Sequence, residues 1–429
     1  MVKKFGPFIV VASLVFTLKL LLASVGYNND MLIWKDVSEG MREGFLSGRS
    51  VYTYTQFYNH GPIRSYALFI LASVLNKLSL HDMTSFHLAV VFFLSISDTV
   101  ISLLLWRMFG KIPAFIYLLN PVTTLITGYH SQIEATVIML GLISWAFFLK
   151  AKTLYLNNDT KYKKMLLVSA LILGFSMGIK HVLFFFPVFI LLAHRKHKLF
   201  STKEILAYTL IPYTIFFGLF GVEILRDSYN SAAVTYRSIR LNVFEYRAGG
   251  LYGNSTFATL VKLFIPEYYV DTYFSKIPLI GGYTFFFVAT LLSYGALVIA
   301  KLKDLKLLFP LYLLAMFAFS PSIADQYLAV PLVAMAVFYE NIISFIYFAF
   351  SYFYLTTGAS ANISNLSRYP MVVSIFGFTS PLFPFNFSFF ISVAHIQAWS
   401  ILLAVSLLSQ ISGFSLVPAF KRVVKGFLW

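Results

Sequence analysis

The chain has no cysteine, which excludes disulfides, thiolate metal sites and cysteine nucleophiles. It is also poor in charge. Only 12% of its 429 residues are Asp, Glu, Lys or Arg, where soluble domains carry about a quarter. Acids are the scarcer sign, 17 against 33 Lys and Arg. No low-complexity tract is present, neither end has the composition of a soluble domain, and no internal repeat stands out. The missing repeat counts against transporter folds built from inverted halves.

What the chain has instead is apolar surface: 59% of residues are hydrophobic and 18% aromatic. Apolar stretches near the ~20-residue spanning length recur throughout. Spans are expected at about 6–26, 64–80, 85–106, 112–129, 133–150, 165–193, 205–222, 277–300, 307–319, 327–350, 371–385 and 388–412. The runs are continuous rather than alternating, which counts against a β-barrel. The expected class is all-α, a polytopic transmembrane helical bundle. Segment 6–26 lacks a convincing small-residue cleavage site and reads as a retained first helix.

Positive charge is clustered. Lys3 and Lys4 open the chain. Lys150, Lys152, Lys161, Lys163 and Lys164 form one group, Arg195, Lys196, Lys198 and Lys203 a second, and Lys301, Lys303 and Lys306 a third. Lys421, Arg422 and Lys425 close the chain. Basic loops stay cytoplasmic, so the net charge of +16 is a topology signal. No basic face lies outside these short loops, and nucleic acid is not an expected partner. The second half closes in parity, with 194–204 and 301–306 inside and 223–276 and 320–326 outside. The first half does not close if 27–60 is outside while Arg107, Lys111 and Lys150–Lys164 are inside. One segment between 64 and 150 must be re-entrant, split or misassigned. Segment 165–193 is too long for one span. Gly178, Lys180 and His181 interrupt it, predicting two short helices that meet at Lys180 and line a cavity.

Two external regions, 27–63 and 223–276, are long enough to fold. From Met31 to Leu46 the first is amphipathic, with Trp34, Val37, Met41 and Phe45 on one stripe and Lys35, Asp36, Glu39 and Arg42 off it. That pattern predicts an interfacial helix.

Five polar islands could carry chemistry. The first holds Asp30, Asp36 and His60. Asp30 lies just beyond the first span, placed to take a proton from a hydroxyl at the membrane surface or to cap the helix that follows. The second is Asn120-Pro121, then His130, Gln132 and Glu134. His130 and Glu134 are four apart, one face of a helix; sugar binding and helix-end packing are both open, and a metal pair is not expected without a second ligand set. The third is Lys180 with His181, a cation at membrane depth that could hold a phosphate or snorkel to the surface. The fourth, external, carries Arg237, Arg240 and Arg247, which could bind a phosphate bidentately or attract anionic lipid. The fifth is Pro321 to Tyr327, a Pro turn with Asp325, Gln326 and Tyr327.

Taken in order, these islands resemble the GT-C membrane glycosyltransferases that use polyprenyl-phosphate sugars. The chain is most similar to the branch of glycosylphosphatidylinositol mannosyltransferase I and the bacterial and archaeal polyprenol-phosphate-mannose-dependent mannosyltransferases. The matching elements are Asp30; Gly48 to Tyr52; Tyr58 to Pro62; Asn120-Pro121 with Gly128 to Glu134; and Gly174, Lys180 and Pro187. The Arg- and Asn-bearing loop 236–255 and the Ser320-Pro321 and Gln326-Tyr327 turn complete the series. The likeness covers most of residues 5–345, giving a catalytic region 1–345 and additional membrane helices over 346–429. Relatives often pair the first acid as Asp-x-Asp or Asp-Glu, but here Met31 follows Asp30. Gly61 stands before Pro62 where Tyr or Thr is frequent.

The short loops and absent cysteine point to a prokaryotic plasma membrane. The resemblance implies a GT-C bundle with its site outside the cytoplasm. It implies an inverting transfer of a sugar, mannose by the branch, from a polyprenyl-phosphate donor to a glycolipid or lipid-linked glycan. Asp30 would be the base, with Asp36 the alternative. Lys180, Arg237, Arg240 and Arg247 would hold the donor phosphate. His60, His130, Gln132, Glu134, Gln326 and Tyr327 would contact sugar or acceptor. No metal or other cofactor is expected. A lipid or glycolipid flippase is the alternative from another class, but would spread charge through the bundle rather than at one face; a membrane assembly factor without chemistry is a third.

Overall fold

The computed structural model describes residues 2–55, 58–197, 199–245, 255–277, 281–356 and 392–412, and every regular element among them is helical. The helices are α1 (Val2–Val25), α2 (Asn29–Ser47), α3 (Val51–Tyr54), α4 (Pro62–Lys77), α5 (Met83–Phe109), α6 (Lys111–Leu119), α7 (Pro121–Leu125), α8 (Glu134–Leu156), α9 (Tyr162–Ile179) and α10 (Phe186–His197). There follow α11 (Thr202–Arg226), α12 (Ala232–Ile239), α13 (Thr256–Phe264), α14 (Glu267–Tyr269), α15 (Tyr283–Lys301), α16 (Leu308–Ala318), α17 (Leu332–Val337), α18 (Ile342–Thr356) and α19 (Val393–Ser412). Among the described residues, α1, α5, α8, α9, α11, α15 and α19 are long and apolar enough to cross a bilayer. The chain is an all-α, multi-pass membrane bundle.

Three expected spans are broken, the first two each for a local reason. Over 111–130 the chain bends by 45° between α6 and α7. Pro121 has no N–H to donate back, and the Asn120 side chain instead accepts the Val122 N–H at 2.8 Å, restarting the helix as an N-cap. The second break is at Lys180, which is extended (φ −156°, ψ 140°) between α9 and a 3₁₀ turn at His181–Leu183. The expected span 327–350 is likewise divided, into a 3₁₀ turn at Asp325–Ala329, α17 and α18. Segment 371–385, the first residues of 388–412, and Arg247 lie outside the described residues.

The expected span 64–80 is corrected. It forms α4, 16 residues long and absent from the span-length helices, and it packs on α2. Its entry is held by the Gly61 N–H on the Ile179 carbonyl at 2.9 Å, and the loop beyond it by Lys35 Nζ on the His81 carbonyl at 2.8 Å. Leaving α4 out of the count removes the parity conflict of the first half. The basic loops then gather at one end. Lys196 Nζ bonds the Ala300 carbonyl at 2.5 Å, and Tyr162 OH bonds Glu204 Oε1 at 2.5 Å.

The interior is apolar, and buried polar knots tie its helices together. Lys19 Nζ on α1 pairs with Asp98 on α5 at 2.6 Å, and Asp98 also accepts from Tyr117 OH at 2.7 Å and Thr127 Oγ1 at 2.6 Å. This knot ties α1 and α5 to both limbs of the bent 111–130 segment. Glu223 on α11 accepts from Ser50 Oγ at 2.8 Å and from Tyr66 OH, fastening the first loop and α4 to α11. Residue 345 falls inside α18. The following helix α19 is built into the bundle, where Gln397 Nε2 bonds the carbonyls of Phe317 at 3.0 Å and Ser320 at 2.8 Å.

Candidate functional site

The end of the bundle away from the basic loops collects the polar islands, and the turn between α7 and α8 is their centre. Residues Ile126–His130 form a π-helical turn, and Ser131 takes a left-handed conformation (φ 56°) before α8 begins at Glu134. The sequence expectation that His130 and Glu134 share one helical face is therefore corrected: the αL residue separates them. Each polar residue of the turn has its own anchor. His87 on α5 donates Nδ1–H to the Ala23 carbonyl (3.1 Å), so its Nε2 accepts from the Ser131 hydroxyl (2.5 Å). Gln132 Nε2 donates to Asp30 Oδ2. Glu134 Oε1 pairs with Lys180 Nζ.

Asn28, not Asp30, caps α2. Its Oδ1 accepts the Met31 N–H at 3.2 Å, which turns its Nδ2–H toward His130 Nδ1, also at 3.2 Å. Nδ1 is then an acceptor, and neutral imidazole carries its proton on Nε2. Capping by Asn28 leaves the half-buried Asp30 carboxylate free to face Gln132. Asp36, six residues on, is exposed and does not join the cluster.

His60 and the first turn of α4 close a second wall. Arg64 is buried, its guanidinium 3.3 Å over the Trp34 ring and its Nη1 3.1 Å from His60 Nε2. Trp34 lies one turn from Asp30 on α2, and the charges of Glu134 and Asp30 act on Arg64. Tyr52 OH donates to the His60 carbonyl at 2.7 Å and Tyr58 OH to the Gly61 carbonyl at 3.1 Å. Burial pushes both phenols well above their usual range, so they remain donors. Around this cluster, Arg64 Nε and Nη2, His130 Nε2 and Glu134 Oε2 are buried hydrogen-bonding atoms that no protein group fills. Two kinds of donor and one acceptor thus surround the Asp30 cluster.

Lys180 joins this cluster to a cavity of about 630 Å³. Its Nζ sits 4.8 Å from the Tyr327 ring centroid, and both residues line the cavity. Most of the wall is apolar, with phenylalanines from Phe184 and Phe185 through Phe217 and Phe220 to Phe244 and Phe287, while Lys180 and Arg240 give it a cationic part. Lys180 is 2% exposed, which answers the snorkelling alternative: it is a buried, carboxylate-paired cation. Arg237 is exposed and away from the cavity wall, and Gln326 is half-buried beside Tyr327 without lining it. Among the described residues no three His, Asp or Glu side chains converge as a metal-ligand set.

Sequence reasoning passed over Asn28 and Arg64. Asn28 had a signal, a capping residue three before Met31. Arg64 had one too, as a lone charge at the head of an apolar stretch. Comparison of the chain with protein-family models, with curated proteins and with solved structures finds no match.

Proposed function

We propose that the protein is an inverting glycosyltransferase that takes a sugar, mannose first among candidates, from a polyprenyl-phosphate donor. The acceptor is a glycolipid or lipid-linked glycan. One observation carries this reading: Lys180 belongs both to an acidic, hydroxyl-matching cluster and to a phenylalanine-lined cavity. A polar site for a sugar beside an apolar site for a chain, with cations where they meet, fits an amphiphile whose phosphate joins the two. The unfilled atoms of His130, Glu134 and Arg64 support a polyol, because sugar hydroxyls both donate and accept.

In this mechanism Asp30 accepts the proton of the acceptor hydroxyl as that oxygen attacks the anomeric carbon. The bond from that carbon to the phosphate oxygen breaks, and the lipid phosphate leaves with the electron pair. Lys180 and Arg240 stabilise the charge that develops on it. Gln132 holds the base toward the sugar. The basic loops at the opposite end favour an extracytoplasmic site by the positive-inside rule, in a plasma membrane.

The test is transfer by purified protein in detergent, given polyprenyl-phosphate sugars and a panel of glycolipid acceptors, beside Asp30→Asn. Product from the wild type and none from the variant supports the proposal. Lipid binding without product from any donor would favour a flippase.

A further inference from the structure

The segment between α12 and α15 exposes apolar side chains in a pattern that a watery loop does not need. α13 buries Phe257, while Leu263 and Phe264 at its end are 72% and 79% exposed. Pro266 stops the helix, and Tyr268, Tyr269 and Tyr273 follow, all exposed. Tyr269 and Tyr273 stack on each other with ring centroids 6.0 Å apart. At nine residues, α13 is far too short to cross a bilayer. Its order, aliphatic tip then tyrosine cluster, is that of an element lying in the membrane interface, with Leu and Phe toward the acyl chains and Tyr at the headgroups.

The segment is held firmly at that level. Ser255 Oγ bonds the Ser320 carbonyl at 2.7 Å, and Val270 is fully buried. Phe274 packs on Phe285 and Phe286 at the head of the span α15, with centroids 5.0 and 4.8 Å apart. The exposed face therefore continues the lipid-facing surface of a spanning helix. Residues 256–274 carry no excess of positive charge, with Lys262 against Glu267 and Asp271, and Lys262 is already paired with Glu267 at 2.7 Å.

We infer that residues 256–274 are a membrane-docking element whose partner is the bilayer surface itself, held by apolar burial rather than by attraction to anionic lipid. Ser255, which caps the element, bonds Ser320 of the cavity wall, so the seat of the element fixes the height at which lipid headgroups meet the cavity. The inference does not depend on sugar transfer.

The absence of cysteine makes the test direct. Single variants Leu263→Cys, Phe264→Cys and, as a control in the loop between α8 and α9, Asn157→Cys would be spin-labelled in the full chain. Each would be reconstituted in phosphatidylcholine vesicles and in vesicles with added phosphatidylglycerol. Power saturation compares access to oxygen, which partitions into lipid, with access to a water-soluble nickel chelate. Labels at 263 and 264 are expected to favour oxygen several-fold over the label at 157, alike in both vesicles. Nickel access at 263 and 264 equal to that at 157 would overturn the inference. So would an oxygen preference confined to the anionic vesicles, or shielding from both reagents, which would mean that a second protein surface covers the patch. Thermal unfolding of each labelled variant confirms that the fold is intact before the depths are read.

Discussion

Gly61 and Gly178 touch backbone to backbone where the first loop meets the break between α9 and α10. A Cβ built on Gly61 would stand 2.0 Å from the Gly178 carbonyl oxygen, and the Gly61 N–H holds the Ile179 carbonyl at 2.9 Å. The contact explains why glycine stands before Pro62. Backbone cannot yield as a side-chain tip can, so Gly61→Ala must push α4 away from Lys180. The expected cost is about 1–3 kcal/mol, read as a lower unfolding temperature in detergent. Gly218→Ala, with nothing within 4 Å of its Cβ and a position inside α11, should not lower that temperature.

Lys180 and Glu134 answer each other's charge in the interior. Removing one partner strands the other, which costs about 3–5 kcal/mol, whereas replacing both by apolar residues is often neutral. Lys180→Met should therefore destabilise strongly, and Lys180→Met with Glu134→Leu should recover most of the loss. Neither should bind a prenyl phosphate as the wild type does. Full affinity in the stable double variant would remove Lys180 from donor binding.

Asp30 and Asp36 give a sharper contrast. Asp30→Asn keeps an oxygen for Gln132 and sits at a half-buried position, so folding should persist while turnover falls by about 10²–10⁴-fold. Asp36→Asn changes an exposed carboxylate outside the cluster and should leave turnover within twofold. Initial rates of sugar transfer check both, and equal losses would remove the distinction between the two acids.

Much of this arrangement was legible in the sequence, and the failures share a cause. The helix break at Lys180 could be read because Gly178, Lys180 and His181 are anomalous in an apolar run. The amphipathic stripe of α2 was read from Trp34, Val37 and Met41, which are buried. Segment 64–80 misled because its composition matches a span while its placement is set by tertiary contacts at Gly61 and Lys35. The Lys19–Asp98 pair was missed although each charge stands well inside an apolar run, since neither residue announces a partner 79 positions away. The facing of His130 and Glu134 depended on a left-handed Ser131, which no local propensity demands. One-dimensional periodicity sees helix faces; it does not see which turns are bent to bring them together.

Asp227 offers a pH-dependent test in the loop after α11. Burial would raise its carboxyl pKa, but the Asn230 N–H at 3.0 Å, Thr235 Oγ1 at 2.9 Å and Thr53 Oγ1 at 3.1 Å more than offset this and hold it below the usual carboxylate value. A folded-state pKa below the unfolded one, near ~3.9, contributes stability that is fully present above that value. The contribution is lost as pH falls from there through the folded pKa. The unfolding temperature should therefore drop on acidification below about pH 4, and Asp227→Asn should drop less over the same window while starting lower at pH 7. Because Thr53 and Thr235 both reach this carboxylate, the variant should also loosen α3 from α12, measurable as faster amide exchange at residues 51–54. Unchanged exchange there, with an acid slope equal to that of the wild type, would show that the knot contributes nothing to holding the first loop.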